Sequence, residues 1–399
     1  MLRHLLKLIW KRKSRNLMLT MEILLAFVVV FSIAAFAARS YQLYQLPVGF
    51  AYDDVWSINI QLTEDDKSPQ DMTIYDKFKR NLQAMPEVEQ VAFSAYTPYE
   101  MSRWTTEYTV ADGRKIPSNL IKVSDDFFAA SSIKLLEGRA FSEVDEGLAT
   151  TPVVVNRKMA AELAPGKSAL GVQFSNGEKN TSKRVTMKVV GVIEDFRNQG
   201  EFMEPAKFTL ERFSPLTATN GLHTILLKLR HGTSRAFEAA LSAQLKLVRN
   251  DWTYTISPLS DLRHSLLRIQ MIPLVVLSVI ASFLLVMVAF GLFGVLWQNS
   301  TQRIPEIGLR RAIGAQASQI YRQIIAEQML LSSFAMAIAL LLLVQLPLTG
   351  ALGVNLNWPV FLTATILSMT VIYLLSLLCA LYPGWRASRL SPTEALHYE

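Results

Sequence analysis

Two stretches of this chain contain no charged side chain: the 34 residues between Arg268 and Arg303 and the 58 between Glu327 and Arg386. A third apolar run follows Asn16 and is interrupted only by Glu22 before Arg39. Uncharged apolar runs of about eighteen residues or more satisfy their backbone polar groups in hydrocarbon by forming helices, so the chain belongs in a membrane. The 58-residue stretch is too long for one crossing, and Pro347, Gly350, Asn355, Asn357 and Pro359 divide it. Four transmembrane helices are therefore expected, over residues 17–38, 272–297, 324–346 and 359–382. The first could also be read as a cleaved signal peptide, since Ala35-Phe36-Ala37 resembles a cleavage site. Its apolar core exceeds the roughly 7–15 residues of a signal sequence, which favours a retained span.

The charges that remain are unevenly placed. Residues 1–38 carry a net +5, residues 271–399 a net +2, and residues 39–270 hold 28 acids and 28 bases. That neutrality excludes a nucleic-acid binder, whose basic groups gather on one face. Arg3, Lys7, Lys11, Arg12, Lys13 and Arg15 flank an apolar face of Leu2, Leu5, Leu6, Ile9 and Trp10. Residues 1–16 are thus expected to form an amphipathic helix on membrane lipids. The loop 298–323 and the tail 383–399 are basic, whereas the short loop 347–358 has no charge. By the positive-inside rule both termini are cytoplasmic and residues 39–270 form a large extracytoplasmic domain.

That domain is long enough to bury a core. Val55–Leu62 alternates as a half-buried strand, Pro69–Met85 has helical spacing, and Val88–Ala95 reads as a second strand. The pattern recurs in His223–Arg230, Thr233–Val248 and Trp252–Leu259. Two such units imply a split ferredoxin-like sheet, over 50–117 and 206–262, around an inserted lobe at 118–205. The lobe reads as mixed α/β, with a helix capped by Ser124, strands at Pro152–Val155 and Val185–Ile193, and a short helix ending near Leu163.

Most chemical motifs fail. Ala164-Pro165-Gly166-Lys167-Ser168 lacks the first phosphate-loop glycine, since Ala161 stands there, and it follows a helix instead of a strand. His4, His223, His231, His264 and His397 show no metal-ligand spacing. Cys379, the only cysteine, lies in the last apolar run and reads as a small apolar filler. No catalytic, cofactor-binding or metal site is expected in this chain. Glu22 stands out as an intramembrane carboxylate about one turn from the cytoplasmic end. It is either a functional group or an anchor paired with Arg12, Lys13 or Arg15.

The loop between the second and third spans is the most informative segment. In Arg303-Ile-Pro-Glu-Ile-Gly-Leu-Arg-Arg-Ala-Ile-Gly314, Pro305 suits a first helical turn, and Glu306 and Arg310 form a favourable i,i+4 pair. Gly314 suits a helix stop before a second helix from Ala317. An ordered basic helix of this kind is a candidate docking element for a cytoplasmic partner.

Glu306–Ala315 resembles the signature loop of the FtsX-type permease region in MacB-like (type VII) ABC transporters. The segment Tyr382-Pro-Gly-Trp-Arg-Ala-Ser-Arg-Leu-Ser-Pro-Thr-Glu-Ala-Leu396 resembles that family's C-terminal signature. Val123–Phe128, Leu136–Phe141, Pro152–Asn156 and Val189–Ile193 resemble the MacB-like periplasmic core. Gly384 stands where the family more often has alanine. The resemblance implies a bacterial inner-membrane permease without a fused ATPase domain, with ATP and magnesium bound by a separate cytoplasmic ATPase subunit. It also implies a second permease, identical or paralogous, and in some arrangements a periplasmic adaptor and outer-membrane channel. Glu306, Ile307, Gly308, Arg310, Arg311 and Gly314 would form the ATPase-coupling loop. The implied function is mechanotransmission for export from the periplasm or outer leaflet; the alternative is an FtsX-like regulator of a cell-wall hydrolase or of envelope-stress signalling.

Overall fold

The computed structural model describes residues 13–61, 73–176, 185–215 and 222–389. The chain forms two compact units, residues 1–42 with 271–399 and residues 43–270. The interfacial helix expected over 1–16 and the end of the tail lie almost wholly outside the described residues. In chain order the elements are α1 (Lys13–Tyr44), β1 (Val55–Gln61), α2 (Thr73–Gln83), β2 (Val88–Ser94), β3 (Trp104–Val110), β4 (Lys115–Val123), α3 (Phe127–Ala130) and β5 (Leu135–Gly138). There follow β6 (Thr151–Asn156), α4 (Arg157–Leu163), β7 (Gln173–Asn176), β8 (Thr186–Ile193), β9 (Phe208–Arg212), β10 (Thr224–Leu229), α5 (Phe237–Val248) and β11 (Thr253–Pro258). The last are α6 (Leu259–Gln302), α7 (Ile304–Ala312), α8 (Ala317–Leu343), α9 (Gln345–Thr349) and α10 (Trp358–Ser388).

Among the described residues, four helices are long and apolar enough to cross a membrane: Leu17–Tyr44, Leu259–Gln302, Ala317–Thr349 and Trp358–Ser388. Each extends beyond the apolar run that marks it, because helix formation continues into flanking polar sequence. α6 tolerates Pro273 inside it, and α10 opens on Asn357, whose Oδ1 accepts from the Val360 N–H at 3.0 Å. The helical unit buries Leu19, Ile23, Phe27 and Phe31 of α1 with Leu292 and Leu296 of α6 and the facing sides of α8 and α10. Small residues at the last interface, Ala335, Ala339, Ala364 and Ala380, let backbones approach. Ser332 and Ser376 hydroxyls meet at 2.8 Å, and Ser333 meets the Tyr373 hydroxyl at 2.7 Å.

The sheet unit contains four strands in the order β11-β1-β10-β2, with every adjacent pair antiparallel. α2 and α5 cover one face, enclosing Trp56, Ile58, Ile60, Phe78, Leu82, Leu241 and Trp252. β1 is not half-buried as its alternation suggests. Ser57 on the opposite face is buried and hydrogen-bonded to Thr97 at 2.8 Å, because a second core around Phe127, Phe196 and Leu226 covers that side.

β4 carries the sheet onward at Ser94–Val123. From there the pairings β4–β3, β3–β7, β7–β8, β8–β6, β6–β9 and β9–β4 return to their start. The result is a closed six-stranded barrel, parallel at β4–β9 and β6–β8. It uses β3 and β9, which lie outside the 118–205 range read from sequence. Its interior holds Tyr108, Ile116, Val153, Val155, Phe174 and Met187. Ser124 does not cap a helix as expected; its Oγ accepts from the Phe93 N–H at 2.9 Å, and α3 starts only at Phe127. The Ala164–Ser168 segment is a turn after α4, in which Ser168 donates to Glu137 at 2.6 Å.

Candidate functional site

The connector between α6 and α8 folds as its sequence dictates. Pro305 occupies the first turn of α7, and Ile304, Ile307 and Gly308 are buried. Ile307 packs with Ile320 and Ile324 of α8 and Ala387 of α10. Gly314 takes φ +102°, a left-handed conformation that suits glycine, and its N–H bonds Arg311 O at 3.1 Å. α8 then starts at Ala317.

A polar relay fixes this short helix to its neighbour. Arg310 donates to Glu306 on its own helix at 2.6 Å and to Gln323 on α8 at 2.9 Å. Gln323 donates to Glu327 at 2.9 Å, and Glu327 pairs with Arg303 at 2.5 Å. The Arg303 and Glu327 side chains are only 18% and 15% exposed, so this pair is largely withdrawn from solvent screening. Both forks of the Arg310 guanidinium are in use, a geometry that lysine does not reproduce.

The sequence-derived residues therefore divide. Glu306 and Arg310 are joined in the relay, Ile307 and Gly308 face the helical unit, and Gly314 ends the helix. Arg311 is half-buried, with its Nε lacking a hydrogen-bond partner. Facing outward instead are Leu309 and Ile313, 58% and 79% exposed. Neither is among the residues the family resemblance singles out, although their i,i+4 spacing marks one helix face.

The tail motif also gains a structural account. Trp297 of α6 and Tyr382 of α10 stack at 5.9 Å with ring planes 6° apart. Arg386 lies 4.5 Å over Trp297 and Arg389 4.5 Å over Trp385. At Gly384 a methyl group would lie 3.3 Å from the Tyr321 ring, so the glycine gives that ring room. Glu22 rests on α6 at Gly291, where a Cβ would fall 2.9 Å from its carboxyl carbon. Arg12 lies outside the described residues, as do the side chains of Lys13 and Arg15. Cys379 contacts the Ala289 carbonyl at 3.5 Å, as a packing residue would.

The sheet unit has its own charged centre. Arg197 is 1% exposed and donates only to backbone carbonyls: Leu43 at 3.0 Å, Leu46 at 2.7 Å, Pro47 at 3.3 Å, Met203 at 3.0 Å, and Glu201. Burial lowers its pKa from the ordinary arginine value. Glu201 in turn pairs with Arg263 of α6 at 2.5 Å, and the Arg263 guanidinium lies 4.6 Å over the Tyr52 ring. One loop, residues 197–203, thereby ties the last turn of α1 and the residues after it to the start of α6.

Residues 17–244 match the family model described as MacB-like periplasmic core domain, and residues 278–392 match FtsX-like permease C-terminal. The chain is 26% identical over 300 residues to the uncharacterized ABC transporter permease YvrN of Bacillus subtilis, covering 69% of each. It is 30% identical over 349 residues to the macrolide export ATP-binding/permease protein MacB of Syntrophobacter fumaroxidans, covering 71% of this chain but 48% of that one. The periplasmic region of MacB from Actinobacillus actinomycetemcomitans matches 56% of this chain and 97% of its own, with 14% identity and a TM-score of 0.39.

Proposed function

Because the chain belongs to the family of ABC transporter permeases that join a MacB-like periplasmic core domain to an FtsX-like permease region, we propose that it is the membrane subunit through which a separate ATPase moves an extracytoplasmic domain. The observation that carries this reading is the relay Glu306–Arg310–Gln323–Glu327–Arg303. It fastens α7 to the α8 span while leaving Leu309 and Ile313 free to enter a groove on a partner. A push on α7 is then transmitted to α8 without passing through a flexible loop.

In this reading both termini and α7 are cytoplasmic, residues 43–270 lie outside the inner membrane, and a second permease completes the unit. The order β11-β1-β10-β2, with α2 and α5 on one face, supports a split ferredoxin-like porter part. Substrates would be taken from the periplasm or the outer leaflet and exported, with an adaptor and outer-membrane channel where the pump spans the envelope.

Gly308 is buried, so enlarging it would disturb the unit's own packing and would not isolate docking. Leu309→Asp with Ile313→Asp alters only exposed side chains. Loss of ATPase co-purification and of permease-dependent ATP hydrolysis, at normal membrane levels, is the expected result. Retention of both would overturn docking through this face.

A further inference from the structure

The six-stranded barrel is closed along its sides, and among the described residues one of its ends is concave. A cavity of about 590 Å³ lies there, lined by residues from all six strands, within the roughly 300–1,000 Å³ range of small-molecule sites. The charges around its rim are mostly committed. Arg212 holds Asp125 at 2.7 Å and Glu146 at 2.6 Å, Asp145 is held by Arg139 at 2.5 Å, and Glu146 also accepts from Ser214 at 2.8 Å.

Two charged groups are left over. Glu211 lines the cavity yet is only 8% exposed, and its hydrogen bond is a long one, 3.4 Å from the buried Tyr108 hydroxyl. Burial raises its pKa above the ordinary glutamate value. Lys122 also lines the cavity and faces Glu211 in the β4–β9 register. The two side chains nevertheless form no ion pair, and among the described residues no side-chain hydrogen bond reaches the Lys122 ammonium. Lys122 acts on Glu211 through space and offsets part of its burial, but a buried carboxylate with one long hydrogen bond is costly unless something else supplies donors.

We infer that the barrel mouth binds a small zwitterion, with its ammonium on Glu211, its acidic group on Lys122 and an apolar body against Trp104 and Phe213. A simple cation would satisfy Glu211 but face Lys122, and a simple anion would face Glu211. An uncharged molecule would satisfy neither. Two sources carry this chemistry: free amino acids or short peptides, and the ethanolamine phosphate headgroup of a lipid. The site stands whether or not the chain moves a substrate, so it goes beyond the transport reading.

The test uses the full chain in nanodiscs and equilibrium binding of labelled Phe-Leu dipeptide and of glycerophosphoethanolamine. Hydrocinnamoyl-leucine, lacking the ammonium, and phenylalanyl-leucinamide, lacking the carboxylate, serve as single-charge analogues. At least one zwitterion should bind saturably, and which one does so identifies the source. When it is the dipeptide, each analogue should bind about tenfold more weakly. Lys122→Met should weaken the zwitterion about tenfold and abolish any preference for it over the amide, while Glu211→Gln should do the same for the ammonium. Lys115→Met, which changes a lysine already paired with Glu107, should leave binding unchanged. Lys122 is exposed, so its variant reports on binding even where the Glu211 variant folds poorly. Absence of saturable binding to the unaltered chain, or binding indifferent to Lys122→Met and Glu211→Gln, would overturn the site.

Discussion

Two arginines organise this molecule by opposite means. Arg197 in the sheet unit is fully enclosed and spends its donors on backbone carbonyls of two chain segments. Arg310 in the connector is 37% exposed and binds two side chains, Glu306 and Gln323. A carbonyl cage fixes main chain and leaves nothing to rearrange. A side-chain relay at a surface holds a helix through bonds that can be exchanged. The first arrangement serves fold stability; under the proposed function the second would serve communication with a partner.

The comparison breaks most readily at Arg197. Arg197→Met leaves buried carbonyls without donors and should destabilise the sheet unit by about 3–5 kcal/mol, lowering the thermal midpoint of the detergent-solubilised chain and exposing residues 43–47 to protease. Arg197→Lys should recover part of the loss, since three donors replace five. A variant as stable as the parent would show that the cage holds nothing.

Arg303→Gln should have the next largest effect. It leaves the largely buried Glu327 without its cation and with only the Gln323 donor, at a cost of about 1–3 kcal/mol, and Glu327→Gln in the same chain should restore most of it. A double variant no better than the single one would separate the pair from the helix it supports.

Arg310→Lys is the mildest. The charge remains but only one of the two partners can be held well, so stability should change by about 0.5–1 kcal/mol, while ATPase coupling falls further than that figure alone would give. Equal coupling in both forms would reduce Arg310 to a topology charge.

Acid separates the barrel rim from both arginines. The Arg139 guanidinium holds the Asp145 carboxyl below the usual carboxylate range, so its contribution is present above about pH 3.9 and is lost as pH falls through the lowered folded value. Asp145→Asn should therefore cost stability at pH 7 and almost none at strongly acidic pH. Glu211 has the reverse sign: its pKa is raised by burial, so its stabilising contribution is full below about pH 4.3 and declines as pH rises through the folded value. Glu211→Gln should raise the thermal midpoint at pH 7–8 and flatten that part of the profile.

What the sequence revealed follows the same division between local and distant causes. The apolar helices are legible because hydrocarbon tolerates little else over such lengths. β1, β2, β10, β11 and the two helices between them are legible because each writes its buried face in its own spacing. The barrel was not, because its closure rests on β4 meeting β9, with Asn119 opposite Phe208 and Val123 opposite Arg212, and no local pattern encodes a pairing across 89 residues. Arg197 stands in a polar stretch, Glu194-Asp-Phe-Arg-Asn-Gln-Gly200, that reads as surface loop; only the tertiary cage makes it core. In the connector Glu306, Arg310 and Gly314 were legible from i,i+4 spacing and turn chemistry. Glu327 was not, since its partner Arg303 lies 24 residues away at the N-cap of α7.

Under the proposed function, α7 faces an ATPase and the short loop between α9 and α10 faces away from it. A photo-crosslinking amino acid placed at Ile313, and separately at Leu352, both exposed positions, tests it in cells. Crosslinks from Ile313 to a protein carrying an ATP-binding cassette, with none from Leu352, are the result this account predicts; an ATPase crosslink from Leu352, or from neither position with both variants inserted at normal levels, would contradict it.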